Sequence, residues 1–226
     1  MSIFGSLVDE RTKPISQHSI VLDIDETLVH TQETDVKSIS KMMLDPSYMA
    51  LRQRIYILDL SDIGHRRGTG TNIRMWGVTR PHVEEFLAFC FTYFKRVIVW
   101  SAGMREYVDE LVRFLFRDLP APDIVYAREQ CANVDGLLEK PLQKMIDDEP
   151  QLTITLSSTL ALDDRKSTFD RANPFNGVLI PRYEPSIDAK SMSEDDVALV
   201  NLQEWLMKSE VIEAMDVRSL NKSRIF

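Results

Sequence analysis

Apolar and polar positions along this chain fall into blocks that predict strands and helices in turn. Ser19 to Ile24 (SIVLDI) is a short apolar, β-branched run carrying an acidic residue at its end, the pattern of a buried strand that opens into a functional loop. Arg80 to Phe94 (RPHVEEFLAFCFTYF) predicts a helix, with Pro81 in its first turn and Glu84 and Glu85 where the helix dipole favours negative charge. Val97 to Trp100 reads as a second buried strand and ends in Ser101-Ala102-Gly103. Between Met104 and Leu119 the residues Tyr107, Val108, Leu111, Val112, Leu115 and Phe116 recur at helical spacing, and Pro120 and Pro122 stop that helix. Ile124 to Ala127, Thr159 to Leu162 and Val178 to Ile180 give three further strands. Ser193 to Lys208 predicts a C-terminal helix with Ser193 as its cap and acidic residues in its first turn.

Strands that alternate with helices imply βαβ units, hence an α/β fold with a largely parallel sheet covered on both faces. Ligands of such sheets bind at the carboxyl ends of the strands. Asp23, Asp25, Ser101, Asp163 and Asp164 all fall at or just past those ends. The segment from Thr31 to Val78 does not follow the alternation. It holds a helical stretch around Asp45 to Gln53, an extended run Ile55 to Leu60, the tip HRRGTGT and a second extended run Asn72 to Val78. The latter part reads as a β-hairpin projecting from the core, with Gly68 and Gly70 at its turn. His65, Arg66 and Arg67 make its tip basic, and Arg74 follows on the return strand.

The chain has 226 residues, enough for one full hydrophobic core. The expected organisation is an N-terminal extension over 1–17 and a single catalytic domain over 18–226, with residues 31–78 as an insertion. A formal net charge of −8 argues against a broad basic face for nucleic acid. Cys90 and Cys131 are expected to be reduced thiols. The N-terminus lacks a long apolar core, and the most apolar window, Phe86 to Trp100, is interrupted by Lys95 and Arg96. The expectation is a soluble protein of the nucleus or cytoplasm, with no membrane and no stable nucleic-acid partner.

Asp23-Ile24-Asp25-Glu26-Thr27 carries the candidate chemistry. Two carboxylates two residues apart beyond a buried strand can enter one loop from different directions. One can attack phosphorus while the other protonates the leaving oxygen. A phosphate monoester is dianionic near neutral pH, so an anionic nucleophile requires a cation, and a hard, oxygen-coordinated Mg²⁺ suits that need. A bare D-x-D is equally consistent with a solvated turn or a calcium loop.

The longer run I-V-L-D-I-D-E-T-L-V-H resembles the haloacid dehalogenase superfamily, and within it the phosphatases of the RNA polymerase II C-terminal domain and their small relatives. Their D-L-D-E-T-L-V-H is matched with isoleucine in place of one leucine. Arg80-Pro81-His82-Val83-Glu84-Glu85-Phe86-Leu87, Val99-Trp100-Ser101-Ala102, Arg128-Glu129-Gln130-Cys131 and Leu162-Asp163-Asp164 are similar to further landmarks of that family. Lys140 resembles its K-D-L lysine, with Pro141 where the aspartate usually stands. Asn176-Gly177 and Asp216-Val217-Arg218-Ser219-Leu220 also look like family elements.

The resemblance implies a Rossmann-like haloacid dehalogenase fold and an Mg²⁺-dependent serine/threonine phosphatase working through an aspartyl-phosphate. Asp23 is then the nucleophile and Asp25 the general acid and base. Thr27 orients the loop at the substrate site, Ser101 offers a hydroxyl to the phosphoryl group, and Lys140 supplies positive charge. Asp23, the carbonyl of Asp25 and Asp164 are the expected Mg²⁺ ligands, buttressed by Asp163. Arg128 is expected near the phosphate or in a structural ion pair. The implied partner is a phosphorylated protein or peptide, with RNA polymerase II tail repeats as the model substrate. Trp76, Tyr107 and Tyr126 are aromatic candidates for a proline platform. The competing readings are a phosphatase of a nucleic-acid end or small metabolite on the same scaffold, and a non-catalytic module like the family's mitochondrial import-channel subunits.

Overall fold

Five strands align in parallel in the order β10–β9–β1–β5–β6 of the computed structural model, which describes residues 13–33, 36–61 and 72–226. In chain order the strands are β1 (Ser19–Leu22), β2 (Val29–Glu33), β3 (Ile55–Ser61), β4 (Asn72–Thr79), β5 (Arg96–Trp100), β6 (Ile124–Tyr126), β7 (Ala132–Val134), β8 (Leu137–Glu139), β9 (Thr159–Asp163) and β10 (Gly177–Leu179). The helices are α1 (Val36–Leu44), α2 (Val83–Tyr93), α3 (Arg105–Leu115), α4 (Leu142–Asp148), α5 (Ala189–Met192), α6 (Ala198–Leu206) and α7 (Ser209–Ile212).

The alternation of the central strands sorts their side chains between two cores. Ile20, Leu22, Val97, Val99, Leu160 and Leu162 join a cluster covered by α2, α3 and α6. Val21, Ile98, Trp100, Tyr126 and Ala161 face the other way and meet Leu142 and Met145 of α4. With both faces covered, the strands read as unbroken apolar runs, which is why they were legible. The chain joins the fold slightly before residue 18: the N–H groups of Ile15 and Ser16 donate to the carbonyls of Thr92 and Tyr93.

Two expected helices start later than the pattern suggested. Arg80 directly follows β4 and does not open α2. Its N–H donates to Leu28 O, and its fully buried guanidinium bonds Asp196, Thr27 O and Pro181 O at 2.8–3.1 Å. Pro81 therefore precedes the helix, and His82, at φ 64°, turns the chain into it. Ser193 ends α5, where its N–H donates back to Ala189 O, and does not cap α6. Of the acidic residues that follow, Asp195 pairs with His82, and Asp196 pairs with Arg80 while its Oδ1 also accepts the N–H of Ala198, the first residue of α6.

The insertion carries the expected hairpin, β3 against β4 from Ile55↔Val78 to Ser61↔Asn72. The hairpin does not project: Tyr56, Leu58 and Leu60 pack into the main core, and Trp76 and Val78 into a third cluster with Ile39, Leu51, Tyr183 and Met192. Strand β2, absent from the sequence reading because VHTQE is largely polar, pairs with β4 from Val29↔Thr79 to Glu33↔Met75. The helical stretch begins earlier, as α1, and gives way to a 3-10 turn over Pro46–Leu51 capped by Asp45; Pro46 disfavours helix at the residue before it. Gly68, Gly70 and the basic tip His65, Arg66 and Arg67 lie outside the described residues. Arg74 pairs with Asp59, its partner across the sheet, an ion pair on the hairpin surface.

Candidate active site

The loop after β1 is tied at both ends. Asp23 N–H donates to Leu162 O on β9 at 3.0 Å, continuing the sheet. Ile24 O then accepts the N–H groups of Thr27, Leu28 and Val29, with Ile24 and Leu28 fully buried beneath. Tucking Ile24 into the core between its two aspartates sends Asp23 and Asp25 into different surroundings. Glu26, at φ 56°, completes the turn.

Asp23 turns toward a buried charge cluster. Lys140, only 6% exposed, donates through Nζ to Asp23 Oδ1 at 2.5 Å and to Asp163 Oδ2 at 2.7 Å. The lysine is fixed by its own backbone: its N–H donates to Thr168 O and its carbonyl accepts from Asn173 Nδ2. Pro141 just after it opens α4, where Asn173 Oδ1 receives the first helical N–H, that of Leu142. Asp163 Oδ1 accepts Arg165 N–H, and Asp164 N–H donates to Thr27 Oγ1 at 3.1 Å. Thr27 is thus a fully buried tie between the first loop and Asp164, set beneath the cleft rather than along its wall.

Carboxylate oxygens of Asp23, Asp163 and Asp164 lie within 4.8 Å of one another. Burial pushes Asp23 up to about 8 against the pull of Lys140, with Asp163 and Asp25 adding to the rise. Burial and Asp163 raise Asp164 to about 6, although Arg182 opposes them. Burial would lower Lys140, but Asp23 and Asp163 hold it above its ordinary value. One ammonium among three close carboxylates leaves a deficit of positive charge. Asp164 Oδ2 is buried with no described hydrogen-bond donor, and Arg182 Nη1 stands 3.6 Å away. An all-oxygen, anionic donor set of this kind fits a hard divalent cation.

Asp25 faces the other way. Its Oδ1 accepts the hydroxyl of Tyr107, and its Oδ2 that of Ser101 at 3.2 Å. Burial raises its pKa, and the Tyr107 and Ser101 hydrogen bonds pull against that. Ser101, buried at the end of β5, also accepts Gly103 N–H at 2.9 Å. Asp23, Asp25, Tyr107, Arg128 and Arg165 line a cleft of about 370 Å³, with Leu60, Met75 and Met104 as an apolar wall. Arg128 spans its rim, donating to Ala102 O at 2.8 Å and to no described carboxylate. A groove of about 450 Å³ on the insertion, lined by Ile39, Met42, Tyr48 and Trp76, is slightly larger. Size would choose it, but the converging chemistry is in the smaller cleft.

Of the aromatic candidates only Tyr107 reaches the cleft. Trp76 is held in the insertion's own core, and Tyr126 lies in the α4 core with its hydroxyl on Glu149. Period-2 patterning identifies two faces of a strand but not which one a ligand meets. Sequence reasoning missed Thr31 and Arg165 on the cleft wall and Arg182 beside Asp164. Arg165 follows directly on the Asp163-Asp164 pair, a signal that could have marked it. The other two depend on contacts between segments remote in sequence.

Similarity to known proteins extends over nearly the whole chain. It is 24% identical to nuclear envelope morphology protein 1 of Schizosaccharomyces pombe over 208 residues, covering 91% of this chain and 36% of that one. It is 28% identical to a probable C-terminal domain small phosphatase of Dictyostelium discoideum over 207 residues, covering 91% and 55%. The chain therefore spans only part of the length of these relatives. The solved structure of Fcp1, an RNA polymerase II CTD phosphatase, shares the fold with a TM-score of 0.61 at 18% identity, over 87% of this chain and 51% of that one. No helix among the described residues is long and apolar enough to cross a membrane. Residues 18–218 match the family model for NLI interacting factor-like phosphatases, and the chain belongs to that family.

Proposed function

We propose that this chain is a Mg²⁺-dependent protein serine/threonine phosphatase that forms an aspartyl-phosphate on Asp23. The observation that carries the reading is the opposed setting of the two aspartates. Asp23 sits in the Lys140–Asp163–Asp164 cluster, while Asp25 leaves that cluster for the cleft. A nucleophile needs its charge neutralised, and a proton donor needs access to the leaving oxygen.

In the first step an Asp23 oxygen attacks phosphorus, the bond from phosphorus to the serine oxygen breaks, and Asp25 gives that oxygen its proton. In the second, Asp25 takes a proton from water as the water oxygen attacks phosphorus. The bond to Asp23 then breaks and inorganic phosphate leaves. Lys140 keeps Asp23 in place and lowers the charge around it, and Arg128 on the rim supplies donors toward the phosphoryl oxygens. Asp23, Asp164 and the Asp25 carbonyl would hold Mg²⁺, with Asp163 fixing Lys140 and the loop beside them. The ion supplies neutralisation of the phosphate and nucleophile charges when bound.

The substrate class we infer is an extended peptide bearing phosphoserine, of the RNA polymerase II tail kind. The open cleft with one apolar wall and the name of the Dictyostelium relative support it. The nuclear envelope in the name of the fission yeast relative favours the nucleus over the cytoplasm.

The test is phosphate release from tail repeats phosphorylated at different serines, an unrelated phosphothreonine peptide and a 3′-phosphorylated oligonucleotide. Wild type should turn over a tail peptide only with Mg²⁺, and Asp23→Asn should not turn it over at all. Hydrolysis of the oligonucleotide alone would replace the substrate class while keeping the chemistry. Silence on all of them from folded protein would leave an interaction module.

A further inference from the structure

We propose that Tyr107, held in turn by Thr31 and Tyr56, is the positioning residue that aims the Asp25 carboxyl at the leaving oxygen, which couples the insertion sheet to the chemistry of the cleft. This rests on the role given to Asp25 above.

The arrangement is built into one row of the three-stranded sheet. Thr31 of β2 and Tyr56 of β3 are both paired with Gly77 of the central strand β4. A Cβ at Gly77 would lie 2.3 Å from the Tyr56 hydroxyl oxygen and 2.4 Å from its ring carbon. The glycine is required here for close approach, because the tyrosine lies across it. Passing over Gly77, the Tyr56 hydroxyl comes within 2.5 Å of Thr31 Oγ1. Thr31 Oγ1 is in turn 2.7 Å from the Tyr107 hydroxyl, which donates to Asp25 Oδ1. Tyr56 is 4% and Tyr107 8% exposed, so water has little access to the two tyrosines, while half-buried Thr31 and Asp25 meet the cleft beside them.

Each hydroxyl has one proton to give. The Tyr107 hydroxyl has two acceptors within reach of its one proton, Asp25 Oδ1 and Thr31 Oγ1, and Thr31 Oγ1 shares a further hydrogen bond with the Tyr56 hydroxyl. This row of hydroxyls fixes the Tyr107 oxygen beside Asp25 Oδ1, while the Ser101 hydroxyl donates to Oδ2. One lone pair on each carboxylate oxygen is thereby taken by the protein. Asp25 itself lines the cleft, where the serine oxygen would leave and the water would later enter.

Leaving-group chemistry tests this. A serine alkoxide must be protonated as it departs, whereas p-nitrophenolate departs without help. The ratio kcat/KM covers steps only through the first cleavage, so the shared hydrolysis of the aspartyl-phosphate does not enter it. With Mg²⁺ present, Tyr107→Phe should lower kcat/KM for a phosphoserine peptide by about 10- to 100-fold, chiefly in kcat, and change that for p-nitrophenyl phosphate less than about threefold. Thr31→Val should show the same contrast more weakly, and Thr31→Ser, which keeps the hydroxyl, should restore it to near wild type. Asp25→Asn is the reference and should show the largest contrast. Equal losses on both substrates, or a rise in KM alone, in Tyr107→Phe and Thr31→Val would overturn the inference while Asp25→Asn still shows its contrast. No contrast in Asp25→Asn would instead remove the role of Asp25, and this inference with it.

Discussion

Lys140 is enclosed with Asp23 and Asp163, and Asp164 stands beside them, so the site concentrates negative charge that water cannot screen. A carboxyl whose folded pKa is raised binds its proton more tightly in the native state than in the unfolded chain. Asp164 rises to about 6 and Asp23 to about 8, from an ordinary value of 3.8. Between pH 4 and 8 the native state therefore holds more protons than the unfolded one, and stability falls as pH rises through that window. In metal-free protein the melting temperature of wild type should drop relative to Asp23→Asn/Asp164→Asn between pH 5 and 8. Added Mg²⁺ should recover more stability at pH 8 than at pH 5.5, because only ionised carboxylates ligate it. Parallel melting curves for the two proteins would show that these carboxyls are not strained. Asp23, Asp25, Lys140 and Asp164 were legible as residues because each stands at a strand end or in a motif. Their partners were not: which atom of Asp25 meets Tyr107, and that Thr27 meets the backbone of Asp164, depends on packing between segments far apart in sequence.

At the scale of elements, the buried parallel strands announced themselves through apolar runs, whereas β2 did not. Its side chains are divided between the core, the Tyr56–Tyr107 hydroxyls and the surface, so VHTQE carries no strong period. The starts of α2 and α6 were misplaced for a related reason. Arg80 and Asp195 have helix-start character in sequence but are drawn into ion pairs with each other's segments, and Asp196 pairs with Arg80 while accepting the first N–H of α6 three residues beyond the expected cap. Gly77 gives the element-scale prediction. Gly77→Ala places a methyl group against the Tyr56 ring and His30 O, and overpacking of this kind typically destabilises by about 1–3 kcal/mol. Denaturant unfolding should show that loss, and phosphoserine turnover should fall with it as the tyrosine is displaced. An alanine variant as stable and as active as wild type would mean that the sheet has room the close approach denies.

Across the whole molecule, the sheet brings residues from four separate stretches to one edge, and the C-terminal segment closes the structure behind them. Arg80 binds the first loop at Thr27 O, the segment after β10 at Pro181 O, and Asp196 ahead of α6. Tyr93 donates to Leu206 O, and His18 Nε2 lies 2.9 Å from Ala214 O. Leu199, Leu202, Trp205, Leu206, Val211 and Val217 are all buried in the main core. At about 1.5–3 kcal/mol each, their burial is comparable with the whole stability of an ordinary domain, about 5–15 kcal/mol. A chain ended at residue 188 should therefore lose its cooperative melting transition and be cleaved throughout by a protease that spares the longer chain. A cooperative transition in the truncated protein would show that the core is complete without α6 and α7.

The row Thr31–Gly77–Tyr56 also governs how this sheet can diverge. A side chain at Gly77 needs Tyr56 to shrink and the backbone at His30 to give, and a smaller residue at Tyr56 takes away the hydroxyl that Thr31 bonds. Natural variants at these positions are therefore expected to travel together, in sets of compatible sizes and hydrogen-bonding capacity. Redesign of the insertion for a new ligand has the most freedom where side chains leave that row, and the least where they lie upon it.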